Sequence, residues 1–99
     1  MMILEARFKV AISREEYEES QKPKAPKYAE MPGLRWKIYA FNDEKSMATG
    51  IYLFDDVQAM NSHMAYLRER VKKSDHASEF EMMVWDVQEA LSKIAGAPI

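Results

Sequence analysis

The alternation of apolar and polar residues at the start of the chain constrains the fold most strongly. Apolar side chains occupy every second position of residues 2–12, and Glu5, Arg7 and Lys9 fall between them. A period of two residues is typical of a strand that buries one face and exposes the other. The sequence therefore opens with a half-buried β-strand.

A helix start signal follows this strand directly. Ser13 stands three residues before Glu16, a spacing that allows a capping box, in which each side chain satisfies a backbone N–H of the other residue. Pro23 and Pro26 lie further along and remove backbone donors from the helix. We expect a kinked or two-piece helix that ends near Glu30.

Two further strand patterns come after the helix. Pro32 and Gly33 form a turn signal, and residues 34–41 then alternate with aromatic side chains on both parities. A polar stretch separates this segment from the β-rich run at 49–54. The sequence predicts a hairpin made of these two strands.

A second amphipathic helix begins after Asp55 or Asp56. Its apolar residues are spaced by three and four positions, which places them in one stripe against a sheet; they are Val57, Met60, Met64, Leu67 and Val71. Residues 79–87 read as a fourth strand, and residues 89–95 could add a short tail helix.

The resulting order, βαββαβ, predicts one α+β domain over residues 1–99. This is the ferredoxin-like arrangement, an antiparallel four-stranded sheet with two helices on one face. A sheet carrying Tyr39, Phe41 and Trp85 on its other face would need a cover. A second sheet is the simplest cover for so small a chain, so we expect two sheets to pack face to face in a homodimer.

Composition argues against several classes of function. A net charge of -2 gives no electrostatic basis for nucleic-acid binding. The chain has no Cys and two His, which leaves little with which to build a metal site. Its apolar runs are too short for a membrane span, and a cytoplasmic location is the default expectation. The three glycines stand apart, so no phosphate-binding loop is present.

Among the remaining residues, the aromatic and Met side chains are the best candidates for a binding site. They could line a pocket for a flat hydrophobic ligand, or they could fill the core and the dimer interface. His63 borders the apolar stripe of the second helix. It is either a hydrogen-bonded residue at the edge of the core or an acid, base or hydrogen-bond donor in a pocket.

Two segments resemble the YdhR family of mono-oxygenases. They are PGLRWKIYAFNDEKSMATGIYLFDD at 32–56 and VWDVQEALSKI at 84–94. The resemblance implies a homodimeric α/β barrel built from two ferredoxin-like sheets. It also places the chain near small oxygenases that oxidise polycyclic aromatic compounds without a cofactor.

The activity implied by the resemblance is direct reaction of an aromatic or quinol-type small molecule with oxygen, without flavin or metal. Trp36 and Tyr52 match the family pattern and are candidate pocket residues, together with Ile38 and Met64. His63 is the candidate catalytic residue, chosen for its chemistry and not from a motif. Two alternatives remain: a non-enzymatic dimeric small-molecule-binding protein, and a haem-binding protein with His63 as axial ligand.

Overall fold

Four antiparallel strands and four helices make up the chain, and the computed structural model describes residues 1–99 throughout. The elements are β1 (Met2–Val10), α1 (Arg14–Gln21), α2 (Ala25–Ala29), β2 (Leu34–Asn42), β3 (Met47–Phe54), α3 (Val57–Lys72), β4 (Ala77–Asp86) and α4 (Glu89–Ile94). The sheet order is β2-β3-β1-β4. The predicted α+β ferredoxin-like fold is confirmed.

Local sequence signals account for the helix boundaries. The Ser13 hydroxyl accepts a hydrogen bond from the Glu16 backbone N–H at 3.1 Å, and the Glu16 carboxylate accepts one from the Ser13 N–H at 3.3 Å. The first helical region breaks around Pro23 into α1 and α2, as the loss of backbone donors predicts. Asp56 caps α3 by accepting from the Gln58 N–H at 2.8 Å.

A β-bulge near the start of β2 decides which of its side chains face the helices. Leu34 lies opposite Phe54, whereas Trp36 lies opposite Leu53, so Arg35 is an extra residue on the β2 side. A bulge of one residue reverses the facing of the side chains that follow it. Leu34 therefore packs against the core, and Trp36 points to the sheet face away from the helices.

The bulge places the β2 aromatics on the helix side of the sheet. Tyr39 contacts Tyr28 of α2, and Phe41 contacts Tyr17 of α1, with ring centroids 6.3 and 6.0 Å apart. Tyr39 and Phe41 therefore do not lie on the face away from the helices. Trp85 does lie there, beside its β1 partner Ile3.

The core lies between the sheet and the helices. Its fully buried cluster consists of Leu4, Ala6, Tyr52, Phe54 and Met60. Met64 and Leu67 of α3 pack against this cluster as predicted. Val57 is half exposed, and His63 is buried. The buried side of α3 is thus rotated from the apolar stripe towards the imidazole.

The face of the sheet away from the helices is closed around Leu53, which is fully buried beside Trp36. Elsewhere half-exposed apolar side chains lie at both edges of this face, Ile38 on β2 and Met83 and Trp85 on β4. The same face carries charges that pair within the chain, Arg7 with Glu81 and Lys9 with Glu79.

The C-terminal segment is tied to the edge strand β2. The Trp36 indole N–H donates to the Pro98 carbonyl at 3.0 Å. None of the helices has both the length and the apolar character needed to cross a membrane.

Candidate functional site

A cavity of about 820 Å³ lies between the helices and the sheet. Its floor is formed by β1, β2 and β3, and its walls by α1, α2 and α3. Five tyrosines line it: Tyr17, Tyr28, Tyr39, Tyr52 and Tyr66. A volume in this range is typical of sites that hold small organic ligands. The density of aromatic rings favours a planar ligand, since aromatic faces and edges pack against each other.

The Lys37 ammonium group is caged by three of these rings. Its Nζ lies 3.8 Å from the ring centroids of both Tyr28 and Tyr39 and 4.8 Å from that of Tyr52. Lys37 takes part in no ion pair, unlike the neighbouring Arg35, which pairs with Asp55 at 3.7 Å. An amine is therefore held in the cavity by aromatic faces alone.

The surroundings of Lys37 act on its pKa in two opposing ways. Burial lowers the pKa from 10.5 to about 7, because an ammonium ion loses hydration inside the protein. The negative faces of the rings favour the charged form and act in the other direction. The net lowering means that uncharged amine is available near neutral pH, as a proton acceptor requires.

Four of the tyrosine hydroxyls of the cavity are held in the protonated form by burial. Burial raises the pKa of Tyr17 and of Tyr39 to about 12, and it also raises the pKa values of Tyr28 and Tyr52. The buried Tyr39 hydroxyl has no hydrogen-bond partner within the chain. A neutral phenol of this kind can donate to an oxygen atom of a ligand.

His63 is enclosed by aromatic rings. The centroids of Tyr28, Tyr52, Phe54 and Tyr66 lie 5.0–6.2 Å from the imidazole centroid. Burial, reinforced by the positive charge of Lys37, lowers the pKa of His63 to about 4. The imidazole is therefore uncharged at neutral pH, and its buried Nε2 has no partner.

This enclosure bears on the proton-transfer and haem roles considered for His63. A base whose pKa is near 4 takes up protons only weakly at neutral pH, so Lys37 is the stronger base of the two. An axial haem ligand needs an open approach to its nitrogen, whereas only 6% of the His63 surface is exposed. The geometry suits His63 best as a neutral hydrogen-bonding group.

Gly50 leaves the space that the lysine cage occupies. A Cβ atom at this position would lie 3.0 Å from both Cε1 and Oη of Tyr52 and 3.2 Å from Cε of Lys37. Both distances are shorter than ordinary carbon contacts. The absence of a side chain at Gly50 is therefore what allows the lysine and the tyrosine to meet over β3.

The structure brings together only some of the residues singled out from the sequence. Tyr52 and His63 line the same cavity. Trp36 and Ile38 lie on the opposite face of the sheet, and Met64 packs against the core cluster without lining the cavity. No group of three or more His, Cys, Asp or Glu side chains is placed to hold a metal ion.

Sequence reasoning missed Lys37, although one signal pointed to it. Lys37 shares strand parity with Tyr39 and Phe41. If Tyr39 and Phe41 are placed on the helix side of the sheet, the Lys37 amine lies on that side too, between the sheet and the helices.

Comparison with known proteins identifies the family. Residues 3–98 match the family described as "Putative mono-oxygenase ydhR". The chain belongs to the YdhR mono-oxygenase family. No curated protein sequence matches it.

Solved structures share the fold of this YdhR chain at low sequence identity. SnoaB, a cofactor-independent oxygenase from Streptomyces nogalater, superposes with a TM-score of 0.67 at 16% identity, covering 88% of this chain and 92% of SnoaB. A variant of SnoaB gives the same TM-score and coverage at 18% identity. A protein from Deinococcus radiodurans described as a putative antibiotic biosynthesis monooxygenase gives 0.65 at 11% identity, with the same coverage.

Proposed function

We propose that this YdhR-family protein is a cofactor-independent mono-oxygenase for an aromatic or quinol-type small molecule, with Lys37 as its base. The observation that carries the proposal is an amine with a lowered pKa inside a tyrosine-lined cavity. Membership of a mono-oxygenase family supports it. So does the fold shared with SnoaB, which is described as a cofactor-independent oxygenase.

The reaction needs a substrate that supplies all the electrons. The Lys37 amine takes a proton from an activated CH₂ group of a hydroxylated aromatic ketone, leaving a carbanion delocalised as an enolate. The anion transfers one electron to O₂, and the resulting radical pair combines to form a C–O bond as a peroxide. Loss of the second hydrogen and cleavage of the O–O bond give a carbonyl and hydroxide, which the Lys37 ammonium group protonates. The balance is CH₂ + O₂ → C=O + H₂O.

The cavity groups divide the remaining tasks. The tyrosine rings hold the planar substrate near the amine, which reduces the entropy cost of bringing the reactants together. The partnerless Tyr39 hydroxyl donates to the enolate oxygen, where negative charge develops. The catalytic role predicted for His63 becomes that of a neutral hydrogen-bond partner for the same anion. Trp36, Ile38 and Met64 have no contact with substrate in this proposal.

Oxygen uptake tests the proposal directly. Purified protein freed of metal and flavin is mixed with a hydroxylated anthrone in an oxygen electrode, and the rate without protein is subtracted because such compounds oxidise slowly by themselves. We expect uptake of one O₂ per anthrone and a rate that rises with pH as Lys37 loses its proton. Lys37→Met should reduce kcat at least 100-fold, in the range of a lost general base.

Lys45→Met is the matched control. Lys45 lies in the exposed β2–β3 turn and does not line the cavity, so its substitution should leave the rate unchanged. Anthrone binding without protein-dependent oxygen uptake would refute the oxygenase and favour a non-enzymatic binding protein. Full activity in Lys37→Met would refute the role of the amine.

We also propose that the protein is a homodimer formed through the sheet face away from the helices. Half-exposed apolar side chains lie at both edges of this face, Ile38 on β2 and Met83 and Trp85 on β4, and exposed apolar surface of this kind is typical of an interface. The charged part of the same face is already paired within the chain. Two such sheets packed face to face would form the dimeric α/β barrel that the family resemblance implies.

Sedimentation of one pair of variants tests the dimer. Trp85→Glu places a charge on the proposed interface, whereas Val57→Glu places one on a similarly exposed apolar residue at the start of α3. We expect the parent protein and Val57→Glu to sediment as dimers at micromolar concentration, and Trp85→Glu to dissociate. A monomeric parent protein would refute the proposal.

A further inference from the structure

Positive charge is concentrated in the cavity wall. Five basic residues line the cavity, namely Lys24, Lys27, Lys37, Arg70 and Lys73, and Asp75 is its single acidic residue. The whole chain, by contrast, has a net charge of -2. The cavity wall is therefore positively charged, although the chain as a whole is slightly negative. Charges of one sign around a concave surface concentrate their electric field in the cavity.

None of these five basic residues takes part in an ion pair, whereas six of the nine Lys and Arg residues elsewhere do: Arg7, Lys9, Arg14, Lys22, Arg35 and Lys72. Unpaired like charges in one wall repel each other. A bound anion would relieve that repulsion and would meet charge-assisted donors.

Ordinary stabilisation of helix ends explains only part of this arrangement. Arg70 and Lys73 lie at the C-terminal end of α3, where cations complement the helix dipole. Lys27 lies in the last turn of the short α2 and fits the same pattern, but Lys24 is the N-cap residue of α2, where the dipole disfavours a cation. Two separate elements therefore bring unpaired cations to the same cavity.

The charges and the aromatic rings occupy different depths of the cavity. Lys27, Arg70 and Lys73 are exposed, which places them at the rim. Tyr52 and the Lys37 amine form the floor on the sheet. Arg70 also acts on the Tyr17 hydroxyl, whose pKa its charge lowers against the larger effect of burial. A ligand that matches both regions has a flat ring and an anionic group at one end.

We propose that the substrate of this site is an aromatic acid, whose ring system lies among the tyrosines and whose carboxylate, or an equivalent anionic group, is held by the basic rim. This inference rests on the proposed function, since it takes the cavity as the substrate site. It adds the substrate class: a planar aromatic compound that is anionic before Lys37 removes any proton.

Two fluorescent dyes that differ by one anionic group test the inference. 8-Anilinonaphthalene-1-sulfonate carries a sulfonate, and N-phenyl-1-naphthylamine has the same rings without it. We expect the sulfonate dye to bind at least 10-fold more tightly at low salt, and its advantage to shrink as salt is added, because exposed rim charges are screened. Equal affinities at low salt would overturn the inference.

Charge-reversal variants locate the effect. Arg70→Glu should remove most of the preference for the sulfonate dye while leaving binding of the neutral dye within about twofold. Arg68→Glu is the matched control, because Arg68 is an exposed, unpaired arginine of α3 outside the cavity. Lys27→Glu provides a second test on α2 should Arg70→Glu fail to fold. A preference that survives both rim variants, or falls equally in the control, would overturn the inference.

The two proposals fail in different ways. Dye binding needs no turnover, so loss of all oxygen uptake would refute the oxygenase and leave the anion preference standing. Conversely, oxygen uptake with equal kcat/KM for a hydroxyanthrone and its carboxylated analogue would retain the oxygenase and refute the substrate class.

Discussion

Replacing Lys37 with Met should stabilise the protein while abolishing its chemistry. Met keeps the unbranched shape of the side chain and fits among aromatic rings, but it has no amine to charge. The substitution therefore removes the cost of keeping a cation in the cavity. The same amine is the proposed base, so this one substitution should both raise the free energy of unfolding and abolish turnover.

The magnitude follows from the lowered pKa. A fall from 10.5 to about 7 corresponds to a cost of about 5 kcal/mol when the group is charged in both states. We therefore expect Lys37→Met to raise the free energy of unfolding by several kcal/mol at pH 6, up to about 5 kcal/mol.

The sign of the pH dependence is fixed by proton binding. Between about pH 7 and 10.5 the unfolded chain binds a proton at Lys37 that the folded chain does not, so the stability of the parent protein rises with pH in this window. The advantage of Lys37→Met should accordingly be full below pH 7 and shrink as the pH approaches 10.5.

Urea unfolding at pH 6, 8 and 10, at one fixed protein concentration, measures this difference. Lys45→Met serves as the control, because Lys45 lies in the exposed β2–β3 turn outside the cavity. A variant that is no more stable than the parent at pH 6, or whose advantage is the same at every pH, would refute the reasoning about Lys37.

Three further substitutions have defined outcomes. Leu67→Ala should lower the free energy of unfolding by about 2 kcal/mol, at the low end for a buried Leu, because Leu67 is partly exposed where it packs on the core; a loss below about 0.5 kcal/mol in urea unfolding would contradict that packing. Ser13→Ala removes one half of the capping box and should cost about 1 kcal/mol, measured as a lower Tm. Gly50→Ala forces a methyl group against Lys37 and Tyr52. It should weaken binding of N-phenyl-1-naphthylamine several-fold in a fluorescence titration. Unchanged binding would show that the Lys37 and Tyr52 side chains move aside at little cost in free energy.

Much of the fold was readable from the sequence because its local signals agree with one another. The alternation in β1, the Ser13 capping box and the break around Pro23 each reappear in the structure. Antiparallel pairing of consecutive elements then leaves few arrangements to consider. Local propensity and global fold support each other here, which is typical of natural sequences.

The facing of β2 could not be read in the same way. Its aromatic side chains occupy both parities, so burial of either face looks equally favourable, and the bulge at Arg35 has no proline or glycine to announce it. The position of Trp36 and Ile38 depends on that bulge. The rotation of α3 that buries His63 arises from tertiary packing against the sheet aromatics and cannot be seen in a helical repeat.

The break between α1 and α2 links access to the cavity with the protonation state of its amine. The five-residue α2 has no side-chain cap and no fully buried residue, and segments of this kind open locally at low cost in free energy. The same segment carries Tyr28, whose ring covers the Lys37 amine. Opening of this segment would let water reach the amine and favour its protonation, and closure would favour the uncharged amine again. The fraction of amine free to accept a proton is thus largest when the site is shut.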